Sequence, residues 1–95
     1  MKTISLIDMA GFDTSKFAIN EVLIDKNLKA EREFLLKRAI LIHYLEHQTA
    51  KITFKDDHDE ILEVECSVIA VTDQHVILKS GLFLPIHAIV TIELV

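Results

Sequence analysis

Apolar and polar residues follow two different patterns along the chain. Between residues 25 and 48 apolar positions recur with helical spacing and without Gly or Pro, and over residues 50–95 they alternate with polar positions. The first pattern predicts a helix, and the second predicts strands with one buried and one exposed face. The N-terminal segment, residues 1–24, holds two short apolar pieces at 4–7 and 17–24. A chain of this length is expected to form a single domain, residues 1–95, from these three parts.

The predicted helix has recognisable features at both of its ends. Asp25 or Asn27 supplies its N-cap, and Glu31 and Glu33 lie near its N-terminus, where the helix dipole favours acids. In its second half apolar side chains cover most of the circumference. We therefore expect burial on two sides, against the β region and against either the N-terminal segment or a second subunit. The apolar piece 17–24 is interpreted as extended, with a helix as the alternative.

Five strands are predicted in the β region. They cover residues 50–55, 62–71, 75–79, 82–84 and 89–95, separated by polar turns and by Pro85. The second strand is polar on one face up to Ser67 and apolar on both faces beyond it, which is expected of a strand that bends between two sides of a barrel. The predicted fold class is mainly β with an N-terminal helix (α+β), containing a small, strongly bent, five-stranded antiparallel barrel. Its predicted core residues are Leu62, Val64, Val68, Ile77, Leu78, Val90 and Ile92.

Composition narrows the classes of partner. The formal net charge is -5 over 95 residues, so the surface as a whole lacks the basic footprint of general nucleic-acid binders and any RNA contact must be local. The single cysteine, Cys66, excludes an internal disulfide framework and agrees with a reducing compartment. Polar residues interrupt every long apolar run, so neither a leader peptide nor a membrane span is expected. A cytoplasmic protein without a membrane partner is predicted.

Two short stretches of the β region point to a known family. Residues 72–79 read Thr-Asp-Gln-His-Val-Ile-Leu-Lys, and residues 86–89 read Ile-His-Ala-Ile. Together with the helix and the five strands, they resemble segments of the Sm/LSm fold and especially of the bacterial Hfq RNA chaperones. The resemblance implies a ring-forming protein that binds uridine-rich RNA. The RNA-binding residues that it implies are Gln74, His75, Lys79 and His87.

The chain departs from that family at three places. Ile86 stands where the family has a phosphate-binding Lys, and His75 stands where it has an aromatic ring that stacks on a base. Asp59 and Glu60 replace its Gly-containing turn after the first strand. The first two departures remove charge and stacking, which are the main sources of affinity for single strands.

A second resemblance implies a different partner. Residues 50–56 read Ala-Lys-Ile-Thr-Phe-Lys-Asp directly after the helix, and this arrangement resembles the Rho-binding antiterminators, which are small acidic Sm-like proteins. They act by occupying a protein that binds RNA, which agrees with the acidic charge of this chain. The resemblance and the charge together imply a basic RNA-binding protein as partner. The predicted protein-binding residues are Asp56, Asp57, Asp59, Glu60, Glu63 and Glu65.

No motif in the chain predicts catalysis. The stretch 43–47 reads His-Tyr-Leu-Glu-His, the string of inverted zinc peptidases, but the further carboxylate ligand on a second helix is missing. A polar helix end or an adventitious metal contact by His43 and His47 are the other interpretations. Cys66 lies on the apolar side of its strand and is interpreted as a core residue. We expect no catalytic residue, metal, cofactor or small-molecule substrate.

Three functions stay open at this stage. The leading hypothesis is a non-enzymatic Sm-like regulatory or adaptor protein that acts on the RNA-handling machinery through a protein partner. The alternatives are an oligomeric Hfq-like RNA-binding protein and a structural oligomer. A homo-oligomer is expected in each case, because the fourth and fifth strands would leave open edges in an isolated barrel.

Overall fold

The computed structural model describes residues 4–6, 17–46 and 49–94 of the chain. Within these ranges the protein is mainly β with one helix, which confirms the predicted fold class at that level. The elements are β1 (Ile4–Leu6), α1 (Lys26–Glu46), β2 (Ala50–Lys55), β3 (Ile61–Cys66), β4 (Val68–Val71), β5 (His75–Leu78), β6 (Phe83–Pro85), a 3-10 turn (Ile86–Ala88) and β7 (Ile89–Leu94).

Helix α1 begins at the first of the two predicted caps. The Asp25 carboxylate accepts a hydrogen bond from the Asn27 backbone N–H at 2.7 Å, and the Asp25 carbonyl accepts one from Lys29 at 3.1 Å. The side chain therefore satisfies one of the amide groups left unpaired at a helix start. The preceding piece, residues 17–24, is not helical, so the helical alternative is wrong; it forms bends and one isolated bridge, between Phe17 and Asp56, rather than a strand. Among the described residues, no helix has both the length and the apolar character that crossing a membrane requires.

The strands form two sheets that share one bent strand. The first sheet has the order β1-β3-β2-β7 and the second has the order β4-β5-β6. Only Ser67 separates β3 from β4, so the predicted long second strand is present and breaks where the polar face ends. The buried Ser67 carbonyl accepts a hydrogen bond from the Lys79 N–H at 2.9 Å, which ties the bend to the end of β5.

Two features of this topology differ from the predicted barrel. Strands β6 and β7 lie in different sheets, so within the described residues the five strands do not close into a barrel. Pro85 and the 3-10 turn redirect the chain between them, because Pro has no amide hydrogen to continue a ladder. In addition, β1 pairs in parallel with β3, a pairing that the sequence did not predict.

The core lies between the sheets and one side of α1. Val64, Val68, Leu78 and Ile92 are buried as predicted, together with Ile52, Phe54, Val76, Leu84 and Ile89. The prediction is wrong for Ile77, which is only partly buried because β5 turns its alternate residues, Val76 and Leu78, inward. Val90 is also partly buried, because the register between β2 and β7 shifts there by one residue and leaves Val90 in a bulge. Leu62 packs only partly against this core, near the start of β3.

Helix α1 is buried on one side. It packs against β4 and β7 through Leu36, Ala39 and the aliphatic part of Arg32. Its opposite side leaves large apolar side chains exposed, including Phe34 at 60% and Leu45 at 77%. The strands contact only one face of the helix, and the described part of the N-terminal segment leaves these side chains exposed. Burial of this side against a second subunit stays a prediction.

Candidate functional site

A cavity of about 550 Å³ collects three of the four residues predicted to bind RNA. Gln74 comes from the turn between β4 and β5, His75 is the first residue of β5, and His87 comes from the 3-10 turn. The walls are completed by Glu21, Arg32, Asp73, Pro85 and Ile86. Lys79 does not line the cavity, since it follows the last residue of β5 whereas His75 is the first.

Backbone pairing explains why these residues meet. In the ladder between β5 and β6, His75 lies opposite Pro85, and the Ile86 N–H donates to the Gln74 carbonyl at 2.9 Å. The Thr72 hydroxyl accepts the backbone N–H groups of Gln74 at 3.3 Å and His75 at 3.0 Å, which holds the turn in shape. A turn set by its own hydrogen bonds presents Gln74 and His75 side by side.

The His87 side chain is already engaged by the N-terminal segment. Its Nε2 lies 2.6 Å from the Ala18 carbonyl oxygen, and its own carbonyl accepts the Val22 N–H at 2.9 Å. A carbonyl oxygen only accepts hydrogen bonds, so the Nε2 atom must carry the proton in this contact. The RNA contact predicted for His87 would therefore have to displace an existing hydrogen bond.

A buried arginine forms the floor of the cavity. The Arg32 side chain is 7% exposed. Its Nη1 and Nη2 atoms donate to the two oxygens of the Glu21 carboxylate, at 2.8 and 2.5 Å. Nη1 also donates to the Ile89 carbonyl at 2.9 Å. The hydrogen bond from Arg32, aided by one from the Leu23 N–H and opposed by burial, lowers the pKa of Glu21 from 4.5 to about 2. Glu21 is therefore an anion at neutral pH, and it neutralises the cation.

Sequence reasoning missed both partners of this ion pair. Arg32 lies four and seven residues before Leu36 and Ala39, and all three are buried. That spacing places them on one face of a helix, so the position of Arg32 on the buried face was open to inference. Its partner was not, because Glu21 lies in a segment without regular secondary structure.

One lining residue of the cavity, His75, lies next to an aromatic ring that is not part of the lining. The imidazole of His75 and the ring of Phe83 on β6 have centroids 6.3 Å apart and planes tilted by 58°. Phe83 is 54% exposed. An exposed aromatic ring beside the predicted stacking position offers a surface on which a base or an aromatic side chain can pack.

The second candidate surface is the outer side of the first sheet. Glu65 on β3 lies opposite Lys51 on β2, which in turn lies opposite Glu93 on β7. In the neighbouring row Glu63 lies opposite Thr53. These positions alternate with the buried ones, so all of them face away from the core.

The turn between β2 and β3 continues this acidic surface. The Asp56 carboxylate accepts the N–H groups of His58 and Glu60, each at 2.9 Å, so Asp56 shapes the turn. Asp59 adopts a left-handed backbone with φ of 63°, which takes the place of the Gly that the resembled family has in this turn. The Asp59 carboxylate lies 3.1 Å from the Lys55 ammonium group. Asp57 and Glu60 are exposed.

We call this turn and the outer side of the sheet the acidic face. It has a formal charge of -5, which equals the formal net charge of the whole chain. The other charged residues of the sequence therefore balance one another, and the acidity of the protein is concentrated on one surface. The charged residues of the acidic face are Asp56, Asp57, Asp59, Glu60, Glu63, Glu65 and Glu93, with Lys51 and Lys55.

Neither surface has the groups of a metal centre. In the part of the chain that the structure describes, no three His, Cys, Asp or Glu side chains are grouped so as to hold a metal ion. The pair formed by the His43 and His47 side chains lies outside the described residues. Cys66 is a free thiol that packs partly against the core, as expected of a core residue.

Comparisons with known proteins give no further assignment. No protein-family model matches the chain, and neither does any curated protein or any solved structure. The cavity and the acidic face are therefore interpreted from their geometry and charge.

Proposed function

We propose that the protein is a non-enzymatic, Sm-like adaptor that binds a basic protein of the RNA-handling machinery through its acidic face. The observation that carries this proposal is the charge distribution, since the acidic face has the same formal charge as the entire chain, -5. A surface of one sign attracts a partner surface of the opposite sign and repels nucleic acid. Proteins that bind RNA have such positive surfaces.

The topology supports an Sm-like assignment in the form of an open barrel. Taking β3 and β4 as one bent strand, the antiparallel order is β7, β2, β3–β4, β5 and β6, with α1 before the first of these strands. A helix followed by five strands with a long bent second strand is the arrangement on which the resemblance rests. The Rho-binding antiterminators and Hfq remain the two models for what such a fold does here.

Direct binding of RNA is the second candidate function. Its support is the convergence of Gln74, His75 and His87 on one cavity beside Phe83. Against it stand the acidic groups Glu21 and Asp73 in the same cavity, and the Ala18 carbonyl that already occupies His87. We rank protein binding first, because the cavity lacks an uncompensated cation close to where a phosphate would lie.

Reversing charge on the acidic face should abolish protein binding. The double variant Asp57→Lys/Glu63→Lys changes two exposed or partly exposed acids, and we expect its affinity for purified Rho, the partner that the resemblance suggests, to fall at least about tenfold. Binding by the wild type should also weaken as salt rises, because exposed charges are screened within about 10 Å at 0.1 M salt. Fluorescence titration of labelled protein with Rho measures both effects.

A matched variant distinguishes an effect of charge on the acidic face from an effect of the net charge of the chain. Glu31→Lys/Glu33→Lys introduces the same change in net charge on the exposed side of α1, away from the acidic face, and should retain binding. His75→Ala/His87→Ala should also retain it. Equal losses in both charge-reversed pairs would reject a specific acidic face. Sub-micromolar binding of uridine-rich RNA that is lost in the histidine pair would favour the RNA function instead.

Self-association through strand edges is expected of the Sm-like assignment. Within the described residues β6 pairs only with β5, and β7 pairs only with β2, so each keeps one open edge. Pairing of β6 with β7 of the next chain would supply hydrogen-bond partners to both open edges. Light scattering should detect an oligomer, and Phe83→Lys, which places a charge on the β6 edge, should shift it toward monomer. A strict monomer at high micromolar concentration of the wild type would contradict this prediction.

A further inference from the structure

Residues 17–23 form a strap that contributes Glu21 to the lining of the cavity. Phe17 is buried and contacts Phe54 edge-on, with ring centroids 5.4 Å apart, and Leu23 is buried at the other end. The Ala18 N–H donates to the Lys55 carbonyl at 3.0 Å. The strap is thus pinned at both ends, and its middle, around Glu21, is exposed.

The middle of the strap occupies the polar groups on one wall of the cavity. The Ala18 carbonyl accepts a hydrogen bond from the His87 imidazole, and the Val22 N–H donates one to the His87 carbonyl. Both oxygens of the Glu21 carboxylate accept hydrogen bonds from the Arg32 guanidinium. These are intramolecular contacts at the positions where a ligand would find its donors. The strap therefore stands where a bound molecule would stand.

The contact between Glu21 and Arg32 has the geometry of anion recognition. Two guanidinium nitrogens reach two carboxylate oxygens at 2.8 and 2.5 Å, the two-point arrangement that arginine also offers to a phosphate. Arg32 is further held by the Ile89 carbonyl at 2.9 Å, so its orientation does not depend on Glu21 alone. A guanidinium fixed in this way is preorganised for an anion.

The surroundings of Arg32 extend the site in two directions. On one side lie Gln74 and His75, and on the other an adjoining cavity of about 670 Å³ shares Arg32 and adds Lys29 and Lys37. Its lining also contains Glu33, which lies 3.4 Å from the Lys37 ammonium group, and Asp73, which both cavities share. Both volumes lie in the range of small-molecule sites, which is about 300 to 1,000 Å³. Without the Glu21 carboxylate, Arg32 would lose its ion-pair partner, and Lys29 would add a second cation to the lining of the adjoining cavity.

We propose that the strap is an internal competitor for this cavity, and that Arg32 is a phosphate subsite for a nucleotide once the Glu21 carboxylate is displaced. The inference concerns a different surface from the acidic face and does not depend on it. Only the Glu21 side chain, which is 31% exposed, has to swing aside, while Phe17 and Leu23 stay buried. The phosphate belongs either to a free nucleotide or to an RNA strand.

The variant Glu21→Gln tests this proposal because it keeps the shape of the side chain and removes its charge. A fluorescein-labelled uridine hexanucleotide and uridine monophosphate are titrated separately into each protein at constant salt. We expect Glu21→Gln to bind at least one of these probes at least about tenfold more tightly than the wild type, a difference of about 1.4 kcal/mol. A gain for both probes identifies a mononucleotide site, and a gain for the hexanucleotide alone identifies a strand site.

Two controls make the result specific. Glu31→Gln removes the same charge from an exposed position next to Arg32 in the sequence and should leave both affinities unchanged. Adding Arg32→Met to Glu21→Gln should remove the gain. The proposal is overturned by unchanged affinity in folded Glu21→Gln, by an equal gain in Glu31→Gln, or by a gain that survives the loss of Arg32.

Two further measurements allow for a variant that does not fold and test the strap proposal independently of the adaptor proposal. If Glu21→Gln fails to fold, Glu21→Asp replaces it, because this variant keeps the charge but withdraws the carboxylate by one methylene. Glu21→Asp should bind the same probe more tightly than the wild type. Unchanged affinity in folded Glu21→Asp would overturn the proposal. Binding of Rho by Glu21→Gln is measured in parallel and should equal that of the wild type, because the acidic face is intact. Failure of the strap proposal and failure of the adaptor proposal therefore give different results.

Discussion

Replacing Phe54 with alanine should lower the free energy of unfolding by about 3–5 kcal/mol, the range for truncating a buried aromatic side chain. Phe54 is fully buried, lies opposite Leu62 and Ile89 in the first sheet, and contacts Phe17 edge-on. The substitution leaves a cavity at the place where the sheet meets the strap. A domain of this size should then melt at least about 10 °C lower, since each kcal/mol corresponds to about 4–8 °C.

A neighbouring residue provides the control for this prediction. Thr53 precedes Phe54 on β2 and faces the opposite side of the sheet, where it is only partly buried. Thr53→Ala should change stability by no more than about 0.5 kcal/mol, as is usual for surface positions. Urea denaturation followed by circular dichroism gives both values. A melting temperature of Phe54→Ala within one degree of that of Thr53→Ala would show that the faces of β2 are assigned wrongly.

Replacing Arg32 with methionine should be the second most damaging change. Methionine retains much of the aliphatic stem but removes the guanidinium donors to the Ile89 carbonyl and the Glu21 carboxylate, which then keeps only the Leu23 N–H. Removing one partner of a buried ion pair destabilises by about 3–5 kcal/mol. Because Glu21 is partly exposed and can turn toward water, we expect about 2–3 kcal/mol here. Lys37→Met removes the same charge from an exposed position on α1 and should have little effect.

The dependence of stability on pH identifies why Arg32→Met has a lower free energy of unfolding than the wild type. In the folded protein the hydrogen bond from Arg32 lowers the pKa of Glu21 from 4.5 to about 2. A depressed carboxyl pKa stabilises the fold fully above the unfolded pKa, and the stabilisation is lost as pH falls through the folded pKa. The difference in stability between wild type and Arg32→Met should therefore be constant above about pH 5 and shrink between 4.5 and about 2. A difference that does not change with pH would mean that the ion pair with Glu21 contributes nothing, and that lost packing and the lost hydrogen bond to the Ile89 carbonyl destabilise Arg32→Met.

Local pattern was sufficient for the secondary structure of the β region. Alternation of apolar and polar residues predicted β2 with the bounds that the structure has, Ala50–Lys55, and the change of pattern at Ser67 predicted where the long strand breaks. Residue type narrowed the helix cap to Asp25 or Asn27, and the structure has it at Asp25. These features depend on contacts between residues close in the sequence, or on which face of an element is apolar, so they can be read without knowing the fold.

The resemblance predicted the composition of the cavity only in part. Gln74, His75 and His87 meet because the ladder between β5 and β6 joins two segments that the resemblance had already singled out. Arg32 and Glu21 were outside those segments. Their pairing requires α1 to pack against β7 and the N-terminal segment to cross the 3-10 turn, and neither arrangement has a local signal.

The sequence by itself determined that the protein is mainly β with one helix, where most strands begin and end, and that its net charge is acidic. The tertiary structure alone decided that the two sheets stay open between β6 and β7, that β1 pairs in parallel with β3, and that Val90 falls in a bulge. It also decided that the acids of two strands, β3 and β7, and of one turn form a single face. The physical reason is that periodicity specifies which face of an element is buried, whereas the neighbour that covers it is selected by the packing of the whole chain.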